Sequence, residues 1–236
     1  MFFKNLLATD DPKQIKDVTR ISESFKNIRA NMMFALAGTK KEKAKIVLFT
    51  SAEQGDGKST SCVNVAAAYA DSNVKVLIVD ADLRRPKIAR YTNCDRKTTG
   101  LSDYLGGFCT LDEAISRPEG CNFDCMFSGR VPPNPSELLM IDEVEHMFEE
   151  LSNTYDYIFI DTPPVGIVSE TIYLTQFVTG VIVVVKKDSS HFKAVKEAIS
   201  LLEFAKANIL GFIVNDAFDA KSKKYYYKRR RYYYYE

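Results

Sequence analysis

The chain has 236 residues, 46% hydrophobic and 27% charged, with a formal net charge of +1. That is enough apolar material for one generous α/β domain, and it excludes collagen-like, mucin-like and globally disordered classes. Its longest apolar runs, such as Val181 to Val185, fall far short of the roughly 20 residues that cross a bilayer.

The opening Met1-Phe2-Phe3-Lys4-Asn5-Leu6-Leu7 turns polar too early for a signal peptide, which predicts a cytoplasmic chain. The stretch Met1 to Ala8 is either a docking or membrane-touching segment or a start that packs on its own domain. A helix is expected over 20–37, with Ile21, Phe25, Ile28, Met32 and Ala35 or Leu36 on one stripe and Gly38 as C-cap. Glu23, Lys26 and Arg29 recur at three-residue steps on another side, as a solvated face or an oligomer contact.

From there, short β-branched runs alternate with helical spacing. Strands are expected over 46–50, 76–80, 125–127, 157–161, 181–185 and 210–214, apolar on both faces. Helices are expected over 59–70, 136–151, 170–177 and 191–207, the last with Val195, Ile199, Leu202 and Ala205 or Lys206 in register. The pattern is that of βαβ units in a doubly wound, mostly parallel sheet. Cys62, Cys94, Cys109, Cys121 and Cys125 lack zinc-ligand spacing and read as reduced structural thiols. His146 and His191 stand alone and are expected on the surface, outside any site.

Residues 1–216 therefore form the folded domain and 217–236 a separate tail. Lys221 to Glu236 hold seven Lys/Arg and one Glu, a balance of +6, which leaves 25 minus 30, or −5, for the rest. Tyr225-Tyr226-Tyr227 and Tyr232-Tyr233-Tyr234-Tyr235 flank Lys228-Arg229-Arg230-Arg231, so seven of the thirteen tyrosines sit there. Such a stretch cannot bury a core face. Basic residues among aromatics also describe a single-stranded nucleic-acid or anionic-lipid binder, although no nucleic-acid partner is expected.

After the first expected strand comes Ala52-Glu53-Gln54-Gly55-Asp56-Gly57-Lys58-Ser59-Thr60, which opens a helix and reads as a P-loop. Gly55 and Gly57 let successive N–H groups around Asp56 face phosphate oxygens, and the helix adds its positive end. Lys58 is placed to reach the outer phosphates, Ser59 to ligate Mg²⁺ and Thr60 to hold the α-phosphate. Asp80 and Asp82 close the second strand and Asp161 closes the fourth, at the sheet edge where ligands collect. A hard cation with phosphates needs such oxygens, and one base must take a hydroxyl proton.

The set Ala52-x4-Gly57-Lys58-Ser59, Leu77 to Pro86 with Asp80-Ala81-Asp82, and Ile158 to Pro164 resembles the Walker A, A′ and B motifs of bacterial tyrosine kinases. Pro132-Pro133-Asn134-Pro135-Ser136-Glu137-Leu138-Leu139 resembles a further segment of that family, and the tyrosine tail is its other hallmark. The likeness runs from about Ser22 to Glu236. Septum-site and plasmid-partition ATPases share the ancestry but carry a lysine where this loop has Glu53; an ATPase switch of that type is the alternative.

The resemblance implies a Mg·ATP-dependent protein-tyrosine kinase that phosphorylates its own tail in trans and tyrosines of other proteins. It makes Lys58 the phosphate-polarising residue and Ser59, Asp82 and Asp161 the Mg²⁺ holders, with Asp80 the base or a metal partner. It puts Asn215 at adenine, while Arg84 either touches phosphate or binds a neighbour. It further implies an octameric ring through Glu23, Lys26 and Arg29, with Lys26 replacing an arginine and losing its bidentate fork. The implied partners are a membrane-anchored activator of the polysaccharide-copolymerase type, which would hold the kinase at the inner membrane face, and a tyrosine phosphatase. The implied output is control of capsular or extracellular polysaccharide synthesis.

Overall fold

The computed structural model describes residues 12–38, 44–94 and 99–217, with side chains from Thr19 onward. The segment 1–11 and the tyrosine tail beyond 217 lie outside the described residues.

The described residues open with helix α1 (Pro12–Leu36) and then alternate. There follow β1 (Lys45–Ser51), α2 (Lys58–Ala70), β2 (Val76–Asp80), α3 (Ile88–Tyr91), α4 (Leu101–Leu105), α5 (Leu111–Ala114), β3 (Ile115–Ser116) and β4 (Asp124–Met126). The second half holds α6 (Pro135–Leu138), α7 (Glu143–Leu151), β5 (Tyr157–Asp161), α8 (Ser169–Leu174), β6 (Gly180–Lys186), α9 (Phe192–Phe204) and β7 (Ile209–Asn215). The strands form one seven-stranded sheet in the order β3-β4-β2-β5-β1-β6-β7. Every pairing is parallel except β3 with β4.

Both faces of the central strands are covered, as their unbroken apolar sequences require. Alternate residues enter opposite cores. Val47, Phe49, Phe159, Ile182 and Val184 pack with Met32 and Leu36 of α1 and with Val63, Ala66 and Tyr69 of α2. Leu48, Ile158, Ile160, Val181 and Val183 pack with Val144, Met147 and Phe148 of α7 and Ala198 and Leu202 of α9. An aromatic cluster fills the first core, with the Tyr69 ring 4.4 Å from Tyr157 and 5.2 Å from Phe159.

Several expectations change, and the helix expected over 191–207 runs only Phe192–Phe204. The first helix begins at Pro12 rather than near residue 20, since proline is tolerated in a first turn. The strand expected over 125–127 runs Asp124–Met126. The single helix expected over 136–151 is two, α6 and α7, joined by a turn at 139–142. In one straight helix Leu139 and Val144 would point about 140° apart. Breaking the helix lets both bury, at 2% and 0% exposure. The short elements α3, α4, α5 and β3 have too few residues to show a period.

A buried carboxylate ties α4 to the loop that leaves β4. Asp103 accepts the Gly100 N–H at 3.1 Å and the Arg130 N–H at 3.3 Å, and pairs with the Arg130 side chain. Arg130 also lies 4.6 Å over the Phe108 ring. Burial pushes the Asp103 carboxyl up, but these donors more than offset it, so its pKa stands below the ordinary aspartate value. With the folded pKa lowered, the stabilisation is present above the unfolded pKa and is lost as pH falls through the folded one. Asp103→Asn is expected to cost about 1–3 kcal/mol at neutral pH. The difference in urea midpoint from wild type should shrink below about pH 4.

Candidate active site

The P-loop is the link between β1 and α2. Gly55 and Gly57 adopt φ of +94° and +96°, which only glycine takes up without strain. A Cβ on Gly57 would also collide with the Asn215 side-chain amide. The loop leads into α2 with Lys58, at 8% exposure, as the first helical residue.

Three strand ends converge there. The parallel register sets Asp161 of β5 beside Phe49 of β1 on one side and Asp80 of β2 on the other. Lys58 Nζ lies 3.1 Å from Asp82 Oδ2, 3.5 Å from Asp161 Oδ1 and 3.4 Å from Ser59 Oγ. Burial draws the Lys58 ammonium down, but Asp161 and Asp82 outweigh it and hold the pKa above the usual lysine value. Asp161 is raised by complete burial despite that lysine. Asp80 is pushed up to about 8, by burial first and then by the Asp161 charge. Asp80 Oδ2 accepts the N–H groups of Lys87 at 3.2 Å and Ile88 at 3.0 Å, so that oxygen caps α3. Asp80 Oδ1 and Asp161 Oδ2 are buried without a hydrogen-bond partner.

The loop is braced from both sides. Asp56, 3% exposed, accepts the Glu53 N–H at 3.0 Å and the Ser190 hydroxyl at 2.7 Å, while its carbonyl accepts Asn215 Nδ2 at 2.9 Å. Glu53 accepts the His191 N–H at 2.9 Å and faces His191 Nδ1 at 3.0 Å. The His191 backbone N–H, then its ring, lowers the Glu53 pKa. From the opposite side Arg85 Nη1 donates to Gln54 Oε1 at 2.8 Å.

The sequence-predicted residues thus fall into groups. Gly55, Asp56, Gly57, Lys58, Ser59, Asp80, Asp82, Asp161 and Asn215 gather at this one edge of the sheet. The Asp56 side chain is spent on the loop itself, and Thr60 Oγ1 donates to the Tyr91 hydroxyl at 3.0 Å. His191 was expected outside the site and instead binds the P-loop, because α9 begins directly over it. Glu170 and Ser190 carry no motif that would have singled them out, and Ser136 fills the variable position of the Pro132 to Leu139 segment. Glu23 and Lys26 are exposed on α1, whereas Arg29 turns inward and donates to Ala68 O at 2.7 Å and to Ser72 Oγ, a cation on the carbonyl end of α2. The tyrosines Tyr225 to Tyr227 and Tyr232 to Tyr235 lie outside the described residues.

A P-loop opening a helix, carboxylates on adjacent parallel strand ends and a doubly wound sheet define a P-loop nucleotide-binding domain. A family model described as an AAA domain matches residues 44–209. The tyrosine-protein kinase YwqD of Bacillus subtilis is 31% identical over 222 residues, covering 94% of this chain and 90% of YwqD. The kinase domain of the Escherichia coli tyrosine kinase ETK superposes with a TM-score of 0.77 at 32% identity, covering 84% of this chain and 78% of that one. The septum-site-determining protein MinD of Pyrococcus horikoshii, complexed with Mg-ADP, gives 0.62 at 25% identity, covering 72% and 70%. This chain belongs to the bacterial tyrosine-kinase family and is a protein-tyrosine kinase.

Gly57→Ala adds both a strained φ, worth roughly 1–2 kcal/mol, and the collision with Asn215. It is expected to weaken ADP binding at least about tenfold by calorimetry, since 1.4 kcal/mol is one decade. Adding Asn215→Ala should relieve the collision but leaves the strain and removes the amide that braces the loop at the Asp56 carbonyl, so ADP affinity should not return to the wild-type value.

Proposed function

We propose that this kinase uses Mg·ATP to phosphorylate the tyrosines of its own tail, copy on copy, and that it governs capsular or extracellular polysaccharide synthesis. The observation that carries the reading is the meeting of Lys58 with Asp82 and Asp161, beside Asp80 on the neighbouring strand end, in a chain that carries seven clustered tyrosines.

In this reading Lys58 leaves its carboxylates for the outer phosphates, and the N–H groups of residues 55–60 cradle them. Ser59, Asp82 and Asp161 would hold Mg²⁺, which would supply neutralising charge at the phosphates. The donor set fits: hydroxyl and carboxylate oxygens suit a hard cation, and Asp161 Oδ2 is buried without a partner. Among the described residues no three His, Cys, Asp or Glu side chains are arranged to hold a metal ion by themselves, so the nucleotide phosphates would share in holding it. Asp80 takes the proton of the acceptor tyrosine at Oδ1, since Oδ2 is committed to α3. Asn215, on the far side of the P-loop, meets adenine.

The tail would thread into a neighbouring copy held by α1 through Glu23 and Lys26. Arg29 acts on that contact by fixing α1 to α2. No helix among the described residues is long and apolar enough to cross a membrane. We assign membrane attachment to an activator of the copolymerase type, at the cytoplasmic face, with a tyrosine phosphatase reversing the modification. The ATPase-switch alternative is disfavoured because Glu53 stands where the switch lysine belongs and is tied within its own chain.

Each phosphate adds about −1.5 to −2 at neutral pH, so four cancel or reverse the +6 tail charge and five or more reverse it, which is expected to loosen the assembly. Intact mass after incubation with Mg·ATP and the activator's cytoplasmic segment should rise in single-phosphate steps. Lys58→Met should abolish them, and truncation at Lys221 should remove the acceptor tyrosines with the tail. ATP hydrolysis without any increment would restore the switch reading.

A further inference from the structure

The nucleotide-facing elements, namely the P-loop after β1, residues 186–191 after β6 and Asn215 at the end of β7, belong to one half of the sheet. The loops after β4, β2 and β5 line the other half, from which an acceptor must approach. These three loops are joined by a closed ring of hydrogen bonds. Ser136 Oγ donates to Glu170 Oε2 at 2.8 Å and accepts from Arg84 Nη2 at 2.9 Å. Arg84 Nε donates to Glu170 Oε1 at 3.3 Å. The hydroxyl thereby uses its single proton and a lone pair, and the carboxylate uses both oxygens.

The burial is lopsided. The Glu170 side chain is 1% exposed while that of Arg84 is 47% exposed. A buried carboxylate needs its partner, so Glu170 holds the guanidinium in one orientation rather than the reverse. Arg84 also springs from a tight turn set by the site itself. The Arg85 N–H donates to Asp82 Oδ1 at 3.0 Å, on the carboxylate whose other oxygen meets Lys58. Among the described residues Arg84 Nη1 has no partner.

We propose that Glu170 and Ser136 are positioning residues that fix Arg84 so that its unused N–H groups meet the phosphoacceptor segment or the phosphoryl group passing to it. The inference rests on the kinase reading of the site above. An anchored fork has its donors already oriented, and a displaced one loses that advantage.

The test measures phosphate transfer from full-length enzyme to a mass-tagged full-length Lys58→Met copy, at varied acceptor concentration, with ADP affinity followed by calorimetry. Glu170→Gln, which keeps the shape and removes the charge, and the milder Ser136→Ala are each expected to lower kcat/KM for the acceptor by about tenfold or more. ADP affinity should stay within about twofold, and in an Arg84→Ala background neither change should add a further loss. Arg84→Lys should behave like Arg84→Ala, because the fork is lost. Wild-type transfer rates in both Glu170→Gln and Ser136→Ala would overturn the inference. So would losses that persist undiminished beside Arg84→Ala, or losses matched by weaker ADP binding. Absence of transfer by the unmutated enzyme would instead refute the trans-phosphorylation reading.

Discussion

The insertion of β5 between β1 and β2 is the constraint on which the site depends. Parallel pairing on both edges of β5 leaves no freedom in register, so Asp161 must end level with Asp80 and directly beside the start of the P-loop. Slipping the strand by one residue would turn Ile158 and Ile160 into the wrong core and carry Asp161 away from Lys58. The apolar cores on both faces thereby hold a charged centre in place.

That centre is costly to bury. Three carboxylates with exposures of 1%, 6% and 0% share one buried ammonium, and the mismatch appears as raised pKa values at Asp80 and Asp161. Partnerless oxygens on both are the mark of a site arranged for charge that arrives with a ligand rather than for its own stability. The loop around it is held by polar contacts from β6, β7 and the turn after β2, so motions of any of these reach the phosphate cradle.

Much of this was legible in the residues themselves. Five of the six parallel strands come from β-branched runs bounded by turn residues, and each of the six lies within a residue or so of its expected ends. The P-loop declares itself because glycine, lysine and serine at that spacing serve one chemistry. The break between α6 and α7 was not legible, since periodicity continues across it and only the burial of both Leu139 and Val144 requires the turn. The spacing of Glu23, Lys26 and Arg29 left a solvated face or a contact for another copy open, because it says nothing about the carbonyls of α2 lying within reach of Arg29.

By itself the sequence determined the phosphate-binding loop and the order of the six parallel strands, because each depends on residue type at short range. Only the tertiary structure decided which side chains are spent on the fold and which are left for a ligand. Glu53 with His191, Asp56 with Ser190, and Arg84 with Ser136 and Glu170 meet across 138, 134, 52 and 86 positions of chain. Such pairings follow from sheet order and loop path, and no local pattern encodes them.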